Sequence, residues 1–389
     1  MISVETADNA LKSFYLDAVT EALDFKANPL LAKIERSSID VIGKDVKKLV
    51  KYGIHGGISA GSETGDLPAA SSNDKIVLTS TLKNLYGTIE ISDKALRAAA
   101  GSEGAFVKFL NDEMQSLIRS AKFNFGRMLY GDGSGRIANL NNIEEDNMLL
   151  VDNIAAFTEG MFIDFVNDGM VVEAASKRKV LVVDKSNSRI IISGAPLEGV
   201  VKLDAEICLH GSKGYEITGL GAIFSDSEQL YGVDRSKSSL LKPYIFEEMG
   251  NFNESTLECI MDEIEDRAGG KINIIVCSKG VRRAITEYYR ENKSVLAGLE
   301  CKDGFNTITF NGIPVVADPF CPACTMYLLN TDDFKIHQLC DWKWLEGEDG
   351  KILKQVPGKP VYTATLVKYA ELMCERPFAQ GMITGINEP

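Results

Sequence analysis

Along this chain the spacing of apolar residues changes period several times, and each change marks an element. Leu11, Phe14, Tyr15, Ala18, Val19, Ala22 and Leu23 recur at three- and four-residue intervals, the pattern of an amphipathic helix. It is expected to stop before Asn28-Pro29, since a residue preceding proline disfavours helical backbone. That helix has no core of its own and is expected to lie on the body of the protein or on a neighbour. The run DVIGKDVKKLVKYGIHGG then reads as strand. Residues 57–74, GISAGSETGDLPAASSND, hold almost nothing from which a core is built. After them KIVLTSTLKNLYGTIEIS alternates, with Ile76, Leu78 and Leu82 on one phase. Strand, long tip, strand predicts an extended hairpin, and loops beyond ~12–15 residues are usually functional.

Phe106, Phe109, Leu110, Leu117, Ile118, Ala121, Phe125, Met128 and Leu129 form one long helical stripe. Ser102 is its expected N-cap and Gly131 its expected C-cap, which makes a rod roughly 40 Å long. Between residues 153 and 214 the period becomes that of short strands: MFIDFV, GMVVEA, KVLVVD, RIIISG and AEICLHG, separated by turn residues. This β-module lies between helical parts and reads as an insertion. NESTLECIMDEIEDRAGG and KGVRRAITEYYRENK are predicted helices flanking the strand KINIIVCS. The closing run KPVYTATLVKYAELMCERPFAQGMITGI alternates as one or two long strands. The fold class is α+β.

Composition narrows the function. Across 389 residues, 45% are hydrophobic and 25% charged, an ordinary globular balance. No apolar run approaches the ~18 residues of a membrane span. The acidic start, MISVETADNALKSFYLDAVTEALD, does not read as a secretion signal. A net charge of -13 argues against tight binding of nucleic acid, which needs a basic face. It suits a container whose contents must not adhere. The eight cysteines sit mostly in apolar stretches and read as reduced, buried thiols.

One stretch invites chemistry. Cys321, Cys324, His337 and Cys340 are spaced C-x2-C-x12-H-x2-C, and zinc takes four such ligands converging on one point. Yet VVADPF, TMYLLN and FKIHQL read as strands around turns at Asp318-Pro319 and Asn330-Thr331. Alternate side chains of a strand point opposite ways. Cys321 and Cys324 therefore converge only if CPAC is itself a turn, which Pro322 permits. A redox C-x-x-C would open a helix, and TMYLLN reads as strand. The expected arrangement is a turn with buried thiols and neither metal nor cofactor. GISAG matches the G-x-S-x-G elbow around Ser59, but SETGDLPAASS does not supply the helix that an elbow requires. YGDGSG closes a helix where a phosphate loop opens one. With three histidines and no paired acidic motif, no catalytic set stands out.

The order of parts resembles the major capsid protein family of tailed bacteriophages, the fold family that also includes encapsulins. NPLLAKI, the hairpin at residues 44–92, ISDKALRAA, the helix ending YGDGSG, and NGIPVVADPF followed by TMYLLNTDDFKIHQL carry the resemblance. It implies an N-arm at residues 1–43 and an extended loop, the E-loop, at 44–92. A peripheral domain with its spine helix follows at 93–152, and the inserted β-domain at 153–214. An axial domain at 215–358 would reach a five-fold or six-fold axis, and a closing peripheral strand would occupy 359–389. It implies a non-enzymatic subunit that assembles with itself into hexamers and pentamers of an icosahedral or elongated shell around double-stranded DNA. The subunit would assemble in the bacterial cytoplasm with a separate scaffolding protein and a portal, and end in the virion. Inter-subunit contacts are expected at Leu11, Phe14, Tyr15, Gly57, Gly61, Leu67 and Pro68. An encapsulin-like compartment is the rival with the same fold. A zinc-binding enzyme using the CPAC region, or a hydrolase using Ser59, is the rival from another class. The family's lysine–asparagine crosslink is not expected, because residues 52–74 contain no lysine.

Overall fold

The computed structural model describes residues 28–52, 55–66, 69, 73–94, 113, 116–117, 119–121, 123–144, 147–268, 271–292, 300–302, 305–348 and 350–389. The N-terminal helix with Leu11, Phe14 and Tyr15, the Ser102 cap and first turns of the long helix, and Leu67 and Pro68 lie outside the described residues.

Two sheets and a barrel organise the chain. In the body sheet, the long strand Val361–Cys374 pairs along its length with Lys83–Ser92 on one side and Phe334–Trp344 on the other. Glu35–Ser37 adds a parallel edge beside Phe334–Trp344, and Lys354–Gln355 a short antiparallel one beside Val361–Cys374. Alternation puts Phe334, Ile336, Ala364, Leu366, Ala370 and Leu372 into one core with Phe125, Leu129 and Tyr130 from the end of the long helix. That helix stops where the Gly131 N–H bonds back to the Met128 carbonyl, the C-cap that the sequence predicts.

The second sheet orders its strands Tyr244–Phe246, Gly381–Ile383, Met326–Leu329, Ile274–Cys277, Ile313–Ala317, Phe305–Phe310 and Glu300–Lys302. Successive residues of Ile274–Cys277 serve opposite faces. Ile274 and Val276 join the core of the body, whereas Ile275 and Cys277 face the helices Glu254–Ala268 and Lys279–Asn292. Both helices have side-chain caps: Asn253 Oδ1 accepts from the Ser255 N–H at 2.9 Å, and Ser278 Oγ from the Val281 N–H at 3.1 Å. This helix–strand–helix lobe follows the sequence reading. The strand Phe334–Trp344, expected in the axial segment, instead belongs to the body sheet. The chain after Cys374 leaves that sheet, and Gly381–Ile383 pairs with Met326–Leu329 in the other. One closing segment thus stitches the two sheets together.

The β-module is a closed barrel. Its strand order is Arg178–Asp184, Arg189–Ile192, Met148–Val151, Arg136–Ile143, Glu206–Leu209 and Phe162–Asn167, and the last pairs again with the first. Its core, with Phe157, Phe165, Ile163, Leu149 and Ile207, is separate from that of the body. The barrel begins at Arg136, earlier than the boundary at residue 153 read from the sequence. RIANLNNI is too polar to announce a strand alone, and non-local pairing with Glu206–Leu209 defines it. Entry and exit meet where the Gly214 N–H donates to the Ser134 carbonyl at 2.6 Å. A bidentate pair at 2.5 and 2.9 Å between Arg127 of the long helix and Glu216 fixes the barrel's exit to the body.

Candidate functional site

The predicted hairpin forms. Asp45–Tyr52 and Asp74–Thr81 pair in continuous antiparallel register from Asp45 opposite Thr81 to Tyr52 opposite Asp74. Its inner face is bound to the body: Val46, Val50 and Leu78 are buried with Tyr231, Leu240, Leu241 and Met373. Its outer face is open. Leu49 and Val77 stand directly opposite each other and remain 54% and 50% exposed, flanked by Lys47, Lys51 and Lys75. In a two-stranded ribbon only one face is covered by its own chain, so apolar residues on both phases of the alternation signal a second partner. That signal was present in the sequence and points to Leu49 and Val77, which the residue-by-residue reading missed.

At the tip, Gly57 is half-buried and accompanied by a hydrogen bond from its N–H to His55 Nδ1 at 3.1 Å, while Gly61 and Ser59 are exposed. Ile58 is exposed as well. Residues 55–66 run as turns and bends with no helix among them. Ser59 therefore lacks the strand-to-helix turn that makes a serine elbow nucleophilic.

The cysteine–histidine set does not converge. CPAC is a turn, as Pro322 permits. Asp318 organises it by accepting from the Phe320 N–H through Oδ1 and from the Cys321 N–H through its carbonyl. The Cys321 thiol points into the core and approaches the Thr325 carbonyl at 3.6 Å. Burial pushes that thiol far above its ordinary value and Cys277 up to about 12, which disfavours the free thiolate that nucleophilic chemistry needs. Cys324 adopts a left-handed backbone, φ 56°, and its N–H donates to Glu388 Oε1 at 2.7 Å. His337 lies elsewhere, fully buried in the body sheet between Ser37 and Glu371. Burial lowers its pKa, and Asp40 opposes the shift. Cys340 pairs with Tyr369 farther along the same strand. Among the described residues, no three His, Cys, Asp or Glu side chains come together as a metal cluster would.

Among the described residues, the open feature is an apolar surface. A ribbon reaches out of the body with an open apolar face, and a closed barrel stands on the body by adjacent strand ends.

No protein-family profile matches the sequence, and comparison with curated proteins finds no relative. Solved structures do match. A chain of the cyanophage A-1(L) capsid aligns with a TM-score of 0.53 at 12% identity, covering 93% of this chain and 94% of that one. A capsid chain of a native GTA particle aligns at 0.51 and 10% identity, covering 93% and 92%. A chain of the holo-SrpI encapsulin complex from Synechococcus elongatus PCC 7942 aligns at 0.50 and 8%, covering 93% and 89%. With so few residues in common, what is shared is the path of the backbone. Hairpin, body sheet, two-helix lobe and the helical turns that end at Met128 share the backbone path of the major-capsid-protein fold of phage shells and encapsulins.

Proposed function

We propose that this chain is the repeating subunit of a closed protein shell, icosahedral or elongated, that encloses a double-stranded DNA phage genome. The observation that carries the reading is the hairpin's outer face, with Leu49 and Val77 exposed on a ribbon that its own chain covers on one side only. A neighbouring subunit would bury that face, at about 25 cal/mol for each Å² of apolar surface, and closed symmetry would repeat the contact around the shell.

In this reading residues 1–43 form the arm and 44–92 the extended loop over an adjacent subunit. The long helix stiffens the peripheral domain, and the two-helix lobe reaches the five-fold and six-fold axes. Self-assembly into hexamers and pentamers, a separate scaffolding protein, a portal and packaged DNA held without sequence preference complete the set of partners. Assembly takes place in the host cytoplasm, and the mature location is the virion. Catalysis has no part in it.

The likeness to an encapsulin supports a second reading, a cellular compartment with the same walls and different contents. Electron microscopy of the purified protein, with its mass from light scattering, tests both. Closed shells, tubes or rings of five or six subunits are expected. A small dimer with stoichiometric zinc would refute the shell. Nuclease-resistant DNA inside particles from a producing host selects the phage reading; protein cargo without DNA selects the compartment.

A further inference from the structure

The strand Lys83–Ser92 is an edge of the body sheet. Among the described residues it pairs with Val361–Cys374 on one side and with no strand on the other. The Asp93 N–H donates to the Pro360 carbonyl at 2.9 Å, and the register runs on unbroken from Ser92 opposite Val361. Antiparallel pairs alternate between bonded and non-bonded. Leu85, Gly87, Ile89 and Ile91 therefore direct their backbone groups at the partner strand, and Asn84, Tyr86, Thr88 and Glu90 turn theirs outward. The phase agrees on the far side of Val361–Cys374, where the Leu345 N–H donates to the Thr365 carbonyl at 2.8 Å.

A cavity of about 490 Å³ lies against this open edge. Leu85 and Tyr86 both line it although they serve opposite faces of the sheet, so the cavity meets the strand edge-on. Its floor is one face of the long helix, with Leu117, Ala121, Phe125 and Met128. Two groups on its walls are held in place and offer acceptors. Asn124 Nδ2 donates to the Ser120 carbonyl at 3.0 Å, which fixes the amide, and its buried Oδ1 has no partner among the described residues. His210, on the loop leaving the barrel, meets Asp164 Oδ1 through Nδ1 at 2.9 Å. Asp164 also accepts from Ser176 Oγ and from the Lys177 and Gly211 N–H groups. Nδ1 is therefore the donor, and Nε2 of the neutral ring keeps a lone pair. Glu216 is the one carboxylate among the described residues lining the cavity, and Arg127 neutralises it.

We propose that this groove takes an extended segment of a separate protein, added as a strand to the open edge, with a tryptophan seated in the cavity. The outward N–H and C=O groups specify extended backbone. The apolar floor and the absence of net charge specify a large uncharged side chain. Two fixed acceptors specify one that only donates, which is the indole N–H. A second copy does not supply it, because the chain has two tryptophans, Trp342 and Trp344, and both are buried in the core of the body.

Fluorescence polarisation with the full-length chain tests it. The probes are fluorescein-labelled peptides, Thr-Val-Thr-Trp-Thr-Val-Thr capped at both ends, and the same peptide with alanine at the centre. The dispersed subunit is used, so the outcome does not depend on shell formation. The tryptophan peptide is expected to bind about tenfold or more tighter than the alanine peptide, the factor that one buried anchor with its hydrogen bond supplies. N-methylation of one alternating set of its amides should abolish binding, and of the other set should leave it. Asn84→Pro removes an N–H that the fold leaves free and should weaken binding several-fold at unchanged melting temperature; Asn84→Thr should bind as wild type. Equal binding of the two peptides, or no saturable binding of either, overturns the site, and this comparison stands even where Asn84→Pro fails to fold. Binding by the dispersed subunit that closed shells of the same chain abolish gives the groove to a neighbouring copy and overturns the separate partner.

Discussion

Glu388 and Cys324 are bound to each other through the backbone: Glu388 Oε1 accepts from the Cys324 N–H at 2.7 Å and also from Ser278 Oγ at 2.5 Å. One carboxylate near the end of the chain thus ties the CPAC turn to the start of the helix Lys279–Asn292, where the helix dipole favours negative charge. Gly280 makes room for it, since a Cβ there would lie 1.8 Å from Glu388 Oε2. Glu388→Ala is expected to cost about 1–3 kcal/mol by leaving two donors unpaired. Gly280→Ala should cost a similar amount by displacing the carboxylate. Urea unfolding measures both, and wild-type stability in either variant would show that the tie carries no weight.

The same turn gives the cysteines a different meaning from the one their spacing suggests. Cys324 holds φ 56°, which glycine tolerates and β-branched residues do not. Cys324→Gly should keep or raise stability, whereas Cys324→Val should lower it by about 1–2 kcal/mol. A metal ligand would show no such ordering; both changes would remove bound zinc. Chelator treatment is expected to leave the melting temperature of the wild-type protein unchanged. A thiol reagent should modify exposed Cys259 well before Cys277 or Cys321, which burial keeps protonated. Mass spectrometry of the partly labelled protein reads the order.

Glu371 gives the body sheet a pH dependence. Burial pushes its carboxyl up to about 7, although Oε1 accepts from the Thr218 N–H at 2.6 Å. The folded protein therefore holds the proton more tightly than the unfolded chain does. The contribution is fully present below the ordinary glutamate range and is lost as pH rises to about 7. Glu371→Gln, which keeps the acceptor, should flatten this part of the stability profile, by on the order of 3 kcal/mol between pH 4.5 and 8. His337 acts in the opposite sense, since its lowered pKa favours the neutral ring and its stabilisation is lost on acidification. The difference between wild type and Glu371→Gln isolates the glutamate. Parallel profiles for the two proteins would refute the assignment.

The hairpin face separates folding from assembly. Leu49→Thr with Val77→Thr preserves strand propensity and removes apolar surface that the subunit itself does not bury. Unfolding free energy should change by no more than about 0.5 kcal/mol per site, while the yield of closed particles falls several-fold. Removal of residues 57–74 should likewise leave a folded subunit that cannot close stable shells. Normal particles from either variant would show that the ribbon is not an interface.

Much of this was legible in the chain itself. Alternation at Ile76, Leu78 and Leu82 marked the hairpin, and Asn253 and the glycines after Ala268 bounded a helix. Four of the six barrel strands, and the short Met170–Val171 beside them, read as strands because their apolar residues recur within a few positions. Periodicity and capping are properties of neighbours in sequence, and local sterics fix them wherever the segment ends up. What the sequence did not determine is which segments meet. RIANLNNI becomes a barrel strand only because Glu206–Leu209 lies beside it. His337 is withheld from Cys321 and Cys324 because its strand is registered against Ser37 and Glu371. Leu49 and Val77 become an open face because the body covers the other side of the ribbon. Those outcomes belong to the tertiary structure, since each depends on contacts between residues far apart in the chain, and no local spacing encodes the partner.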